Sequence, residues 1–173
     1  MDINQINFNK LKLLVLDVDG VLTDGNLYFS NSGEELKAFN SQDGLGIKLL
    51  IQNGIEVAII TGRKSSIVSN RATNLGIKYL IQGCEEKLQA LEKLATELKI
   101  DYEDIAYIGD DLPDLAPILR VGFSMTVADA NPEIKSRATW CSTRSGGKGA
   151  VREACDFILR QRENLDDILK AYL

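Results

Sequence analysis

Five short apolar runs, Leu13 to Leu16, Ile55 to Ile60, Ile77 to Ile81, Ile105 to Ile108 and Phe123 to Val127, alternate with segments of helical pattern. Runs this short, bounded by polar or glycine clusters, read as buried strands. Strands separated by helices need crossover connections, which return each strand parallel to the last and cover both faces of the sheet. The expected fold is therefore α/β, a Rossmann-like parallel sheet flanked by helices. Helices are predicted over Gly44 to Asn53, Ser65 to Leu75 and Lys87 to Lys99. Gly54 and Gly76 follow the first two and suit left-handed C-caps. In the third, Leu88, Leu91, Leu94, Ala95 and Leu98 make one apolar stripe, with Glu92, Lys93 and Glu97 facing away.

The alternation breaks between Asp24 and Asn40. There Leu27-Tyr28-Phe29, a turn at Asn31-Ser32-Gly33, and the alternating Glu35, Leu36, Lys37, Ala38 and Phe39 predict a β-hairpin over residues 24–40, a flap above the first loop of the site. Leu165, Ile168, Leu169 and Tyr172 recur at helical spacing, so residues 162–173 are expected to form an amphipathic tail. No internal repeat or low-complexity linker interrupts the sequence. Its 173 residues, 45% hydrophobic, suit one domain over residues 1–173.

Charge and composition exclude several classes of function. A net charge of −5 without any Lys/Arg-dense stretch gives nucleic acids and anionic membranes little electrostatic footing. The apolar runs are too short to span a bilayer, and the amino terminus carries no signal-peptide pattern. A cytoplasmic protein with a small-molecule partner is expected. The sequence contains no histidine, which removes Ser-His-Asp hydrolysis, a phosphohistidine route and the commonest zinc ligand. Proton transfer then falls to carboxylates. Cys84, Cys141 and Cys155 are odd in number and widely spaced, as reduced structural thiols are.

Residues with chemistry cluster just past the apolar runs. Asp17 and Asp19 follow the first, Thr61-Gly62-Arg63 follows the second, Lys87 opens the helix after the third, and Gly109-Asp110-Asp111 with Asp114 follows the fourth. In an open parallel sheet the loops at the carboxyl ends of the strands converge on one crevice. Singly, each has a plainer reading: Thr61 as a helix cap, Lys87 as a solvated charge, Asp110 and Asp111 as an acidic loop. Together they supply what phosphoryl transfer through an aspartyl phosphate needs. Asp17 is the candidate nucleophile. Asp19 is the candidate acid for the leaving alkoxide and then the base for the attacking water. Thr61 and Lys87 are placed to hold phosphoryl oxygens, and Asp17 and Asp110 to hold Mg²⁺, for which Mn²⁺ or Co²⁺ can substitute. Gly146, Gly147 and Gly149 either cradle a ligand or turn the chain, while Pro113 and Pro117 shape the Asp110 loop and a short helix after it.

These motifs, Asp-Val-Asp-Gly-Val-Leu-Thr-Asp from Asp17, Thr-Gly-Arg from Thr61, Lys87, and Gly-Asp-Asp-Leu-Pro-Asp from Gly109, resemble in order and spacing the four motifs of the haloacid dehalogenase superfamily. Within it, the stretches Ala38 to Lys48, Ile59 to Lys64, Tyr107 to Asp114 and Gly146 to Asp156 are similar to phosphatases of an eight-carbon keto-deoxy sugar acid, an octulosonate made for lipopolysaccharide. The similarity covers the chain from about Leu11 to Arg160. It implies a haloacid dehalogenase-like fold without a cap domain. In it, a neighbouring subunit of a homotetramer closes the site and the hairpin builds the subunit interface. It further implies Mg²⁺ held by Asp17, the backbone carbonyl of Asp19 and Asp110, with Asp111 and Asp114 behind them. The implied substrate, a small phosphorylated sugar acid, would meet Asp19, Asn40, Ser41, Gln42, Asp43, Gly44, Lys48, Thr61, Gly62, Arg63, Arg71 and Lys87. Arg63 and Arg71 are the implied partners of its carboxylate, which a guanidinium fork suits.

Ser41-Gln42 departs from this resemblance, since such phosphatases more usually carry Val-Arg before the Asp-Gly, and one cationic contact is thereby absent. The nearest alternative is a phosphatase of a nine-carbon sugar-acid 9-phosphate. Those relatives tend to carry glutamates where this chain has Arg63 and Lys148. Phosphoaccepting signalling domains also combine acidic residues, a threonine and a lysine around a parallel sheet. Asp19, two residues from the nucleophile, is placed to destroy the intermediate that such a switch must keep.

Overall fold

In the computed structural model, which describes residues 3–163 and 165–173, the apolar runs become the strands of one sheet. These are β1 (Leu13–Leu16), β4 (Glu56–Thr61), β5 (Tyr79–Gln82), β6 (Ile105–Ile108) and β7 (Phe123–Thr126), joined by a two-residue edge strand, β8 (Trp140–Cys141). Their order is β5-β4-β1-β6-β7-β8 and every pairing is parallel. A second, antiparallel ribbon pairs β2 (Tyr28–Phe29) with β3 (Glu35–Leu36). The expected span 1–173 includes residues 1, 2 and 164, and the expected tail includes residue 164, which lie outside the described residues.

The sheet is buried on both faces, and alternate residues divide between two cores. From β1, Leu14 and Leu16 join the core beneath α1 (Ser41–Gln52), α2 (Ser66–Leu75) and α6 (Ala150–Gln161), while Leu13 and Val15 join the core beneath α3 (Lys87–Leu98) and α4 (Leu115–Arg120). β6 divides likewise, Ala106 and Ile108 to the first core and Ile105 and Tyr107 to the second.

Several boundaries differ from the sequence reading for local reasons. α1 begins at Ser41 rather than Gly44 because the Asn40 side chain caps it, accepting from the Gln42 N–H at 2.7 Å. Two glycines are tolerated inside this helix because α6 and α2 pack closely on it. A Cβ at Gly46 would stand 3.1 Å from Cys155 Cβ, and one at Gly44 would stand 2.5 Å from an Arg71 guanidinium nitrogen. β5 starts at Tyr79 rather than Ile77, because the Ile77 N–H closes the end of α2 on the Ala72 carbonyl. Gly54 and Gly76 have positive φ, as their C-cap positions require.

The sequence reading proposed no element for α6, for α5 (Pro132–Lys135) or for β8. α6 is the amphipathic helix that seals the first core with Val151, Ala154, Cys155, Ile158 and Leu159. At the carboxyl end, α7 (Leu165–Lys170) buries Leu165 and leaves Leu169 exposed, and Tyr172 beyond its end is exposed too. No helix of the described residues is long and apolar enough to cross a membrane.

Candidate active site

A cleft of about 540 Å³ opens where β1, β4 and β6 end, and Asp17, Asp19, Thr61, Arg63, Lys87 and Asp110 line it, with Asp111, Asp114 and Cys84 beside them. Convergence at the carboxyl ends of parallel strands therefore assembles the expected catalytic set. Asp17 continues β1, its N–H donating to the Ile108 carbonyl at 3.1 Å, so the sheet ladder fixes its backbone. Gly20 then turns the chain at φ +89°, and a Cβ there would lie 2.1 Å from Asp110 Oδ2, so only glycine lets the first loop approach that carboxylate.

Lys87, at the first turn of α3, is the hub of the inner site. Its Nζ lies 2.7 Å from both Asp17 Oδ2 and Asp114 Oδ1. Burial alone would lower the Lys87 ammonium, but Asp114 and then Asp17 outweigh it and hold the group above its usual range. Asp114 is saturated. Oδ1 also accepts from the Tyr107 hydroxyl at 2.6 Å, and Oδ2 accepts from the N–H groups of Asp110 and Asp111 at 3.1 and 3.3 Å. Asp114 thus fixes the lysine and the loop. Asp111 is exposed and accepts from the Asn131 side chain at 2.9 Å.

The carboxylates repel one another. Burial first, then the Asp114 charge, pushes Asp17 up to about 7 against the opposing pull of Lys87. Burial, then Asp17 and Asp114, pushes Asp110 up to about 8. One carboxylate oxygen from each of Asp17, Asp110 and Asp114 lies within 4.8 Å of the others, and Asp110 Oδ1 is buried without a hydrogen-bond donor among the described residues. Buried, crowded, all-oxygen donors with an orphaned acceptor fit a hard divalent cation such as Mg²⁺.

An outer set of charges surrounds Asp19. Its Oδ1 is ion-paired to Lys37 Nζ, and Oδ2 lies 3.8 Å from Arg63 Nε. Glu35 joins both cations, 3.5 Å from Lys37 Nζ and 2.7 Å from Arg63 Nη2. Sequence reasoning missed Lys37, Glu35 and Tyr107. The signals were present. Glu35 and Lys37 share one face of a strand with Leu36 on the other, and a tyrosine inside an aliphatic buried strand needs a partner for its hydroxyl.

Of the remaining expected substrate residues, Gly62 alone among the described residues lies on the cleft wall. Asp43 is 1% exposed, and its Oδ1 accepts from the Arg152 N–H at 2.7 Å in the first turn of α6. Its carboxylate serves that helix end rather than the cleft. Gly44 packs against Arg71, whose guanidinium donates to the Asn40 carbonyl at 3.1 Å and lies over the Phe39 ring. Ser41, Gln42 and Lys48 are exposed on α1, and Gln42 accepts from Arg144 at 3.3 Å. Gly62 lies at the cleft beside Arg63. The glycine-rich loop braces the first catalytic loop: Gly147 N–H donates to the Val21 carbonyl at 2.9 Å, and a Cβ at Gly146 would collide with the Gly20 carbonyl.

Residues 82–154 match the haloacid dehalogenase-like hydrolase family. The chain is 50% identical over 157 residues to the 3-deoxy-D-manno-octulosonate 8-phosphate phosphatase of Escherichia coli K12, covering 91% of this chain and 84% of that protein. The crystal structure of that phosphatase from Moraxella catarrhalis, in complex with magnesium, phosphate and KDO, superposes with a TM-score of 0.94 at 43% identity over 96% of this chain and 95% of its own. The cobalt-bound enzyme from Haemophilus influenzae superposes with a TM-score of 0.87 at 42% identity, over 90% of this chain and 91% of its own.

Proposed function

This chain belongs to the haloacid dehalogenase-like 3-deoxy-D-manno-octulosonate 8-phosphate (Kdo 8-phosphate) phosphatases, and from that premise we propose the role of each side chain in its site. It is a divalent-metal-dependent phosphoric monoester hydrolase that releases Kdo and phosphate, with Mg²⁺ or Co²⁺ as the metal its relatives carry. The observation that carries the assignment of roles is the joining of Asp17, Lys87 and Asp114 in one buried, ion-paired group beside Asp110, whose Oδ1 has no hydrogen-bond donor among the described residues.

Asp17 attacks phosphorus, forming an aspartyl phosphate as the bond to the sugar oxygen breaks. Lys87 holds Asp17 in its attacking position and, with Thr61, meets the phosphoryl oxygens. Asp19 gives its proton to the leaving alkoxide and then takes one from the water that hydrolyses the intermediate. Asp17, Asp110 and the backbone carbonyl of Asp19 would hold the cation, which when bound neutralises phosphate oxygens and relieves the repulsion among the carboxylates. Arg63, at the rim of the cleft, suits the sugar carboxylate. Asn40, Arg71 and the exposed first turn of α1, with Ser41 and Gln42, form a surface of amides and a guanidinium suited to the same end of a substrate.

The working form we infer is a homotetramer in the cytoplasm. Leu27, Tyr28, Phe29 and Leu36 are exposed together on the hairpin, and an apolar patch of this kind supports a subunit interface there. The test is Mg²⁺-dependent phosphate release from Kdo 8-phosphate, 2-keto-3-deoxynononate 9-phosphate, N-acetylneuraminate 9-phosphate and common sugar phosphates. Asp17→Asn serves as the blank, expected to lose on the order of 10⁴-fold or more in kcat. Preference for a nine-carbon substrate would keep the mechanism and overturn the sugar.

A further inference from the structure

We propose that Lys37 is the positioning residue for Asp19, fixing which oxygen of that carboxylate exchanges the proton during turnover. The proposal rests on the reading of Asp19 as acid and base. The Lys37 side chain is 2% exposed, although the adjacent Leu36 on the same surface hairpin is 62% exposed. A buried ammonium is costly unless it is paired, so its burial requires specific partners. The pleat of the hairpin turns Glu35 and Lys37 to one face and Leu36 to the other, which sends the charged face to the catalytic loop. Lys37 Nζ pairs with Asp19 Oδ1 and lies 3.5 Å from Glu35 Oε1. Glu35 also accepts from Arg63 at 2.7 Å, so the hairpin and the loop after β4 close around Asp19 from two sides.

The two oxygens of Asp19 are consequently unequal. Oδ1 is engaged by the ammonium, whereas Oδ2 accepts no hydrogen bond among the described residues and has Arg63 Nε only at 3.8 Å. Oδ2 is the oxygen left for chemistry. In the first half-reaction an Asp17 oxygen bonds to phosphorus, the bond from phosphorus to the sugar oxygen breaks, and the proton on Oδ2 passes to that oxygen. In the second, Oδ2 takes a proton from water as the water oxygen bonds to phosphorus and Asp17 leaves. Without Lys37 the carboxylate rotates freely, and a misplacement of about 1 Å in such a group costs on the order of 10²-fold.

Lys37→Met is compared with the native enzyme on two substrates. Kdo 8-phosphate has an alkoxide leaving group that needs a proton, and p-nitrophenyl phosphate has a phenolate that leaves without one. The expected result for Kdo 8-phosphate is a fall in kcat of about tenfold to hundredfold with KM within about twofold. The pre-steady-state burst of nitrophenol should be unchanged, and Lys37→Arg should restore most of the turnover. Equal losses in the rate of the first, phosphorylating step on both substrates, a rise in KM alone, or unchanged kcat would overturn the proposal. Asp19→Asn separates the two readings. If it keeps native turnover of Kdo 8-phosphate, the acid and base reading of Asp19 fails; if it loses turnover while Lys37→Met keeps it, positioning alone fails. Should Lys37→Met not fold, Glu35→Gln removes the anchor that Lys37 and Arg63 share. A smaller fall in the phosphorylation rate confined to Kdo 8-phosphate supports the proposal, and no fall, or an equal fall in that rate on both substrates, overturns it.

Discussion

Lys87 and Lys37 are both ammoniums buried between carboxylates at one cleft, and the fold holds them by different means. Lys87 opens a twelve-residue helix packed on the sheet, and its partner Asp114 has both carboxylate oxygens engaged by further donors. Lys37 hangs from a ribbon of two residues per strand whose opposite face is apolar and exposed. The inner group takes its geometry from core packing. The outer group takes its geometry from ion pairs among long side chains, which cost little to rearrange. On the proposed roles, nucleophile and metal-ligand placement are thus rigid by construction, while the proton-transfer group depends on a surface element. Activity can therefore be lost at Lys37 with the fold intact, but hardly at Lys87.

Stability measurements can break this contrast most decisively. Lys87→Met leaves Asp17 and Asp114 buried without their shared cation, and removing one member of such a group is expected to cost about 3–5 kcal/mol. In urea unfolding with chelator, the loss should be larger at pH 8 than at pH 5, where the stranded carboxylates can take up protons. Lys37→Met should cost about 1 kcal/mol or less, because Asp19 is 22% exposed and water can replace the ammonium. Equal losses from the two variants would show that the hairpin is as integral to the fold as α3.

The inner carboxylates also make stability depend on pH in a stated direction. Asp17 and Asp110 titrate near 7 and 8 in the folded protein, against an ordinary value of 3.8. Between those values the folded chain holds protons that the unfolded chain has released. Stability is thus greatest below about pH 4 as far as these groups are concerned, and falls as pH rises through about 8. Without metal, the melting temperature should decline from pH 5 to pH 8. Saturating Mg²⁺ should raise it, and by more at the higher pH, because the cation binds the ionised pair. Asp110→Asn should flatten the metal-free profile and abolish most of the metal increment. A metal-free profile that rises over this range would refute the crowding of these carboxylates.

Much of this architecture is legible in the sequence because it rests on periodicity and on loop convergence. The five apolar runs, the glycine C-caps at Gly54 and Gly76, and the gathering of Asp17, Thr61, Lys87 and Asp110 need only strand order and handed crossovers. What escapes the sequence is long-range partnership. Asp43 reads as a loop carboxylate beside the substrate, yet α6, more than a hundred residues later, covers it and takes its oxygen. Lys37 reads as the polar side of a hairpin, yet the face it occupies turns inward and the apolar face turns outward, the reverse of the usual arrangement for a ribbon on a core. α6 itself carries a plain apolar stripe. Its neighbouring Gly-Gly-Lys-Gly segment reads equally as a ligand cradle or a chain turn, and in the structure Gly146 and Gly147 let the backbone pack against the first catalytic loop.

Tyr107→Phe sharpens the same contrast at the smallest scale. The ring is fully buried in β6, and its hydroxyl donates to Asp114 Oδ1 at 2.6 Å. Phenylalanine preserves the packing and removes one donor, while Lys87 and two backbone N–H groups still hold the carboxylate. The expected cost is about 1–2 kcal/mol in urea unfolding, with kcat for Kdo 8-phosphate within a few-fold of native and the Mg²⁺-induced rise in melting temperature nearly unchanged. The inner group is redundant in this sense: it absorbs the loss of one hydrogen bond because three others fix the same residue. Asp19, with a single close donor at Oδ1, has no such reserve. A kcat loss at Tyr107→Phe as large as that at Lys37→Met would show that the inner carboxylates, too, depend on each individual donor, and the distinction between a packed and a tethered half of the site would fall.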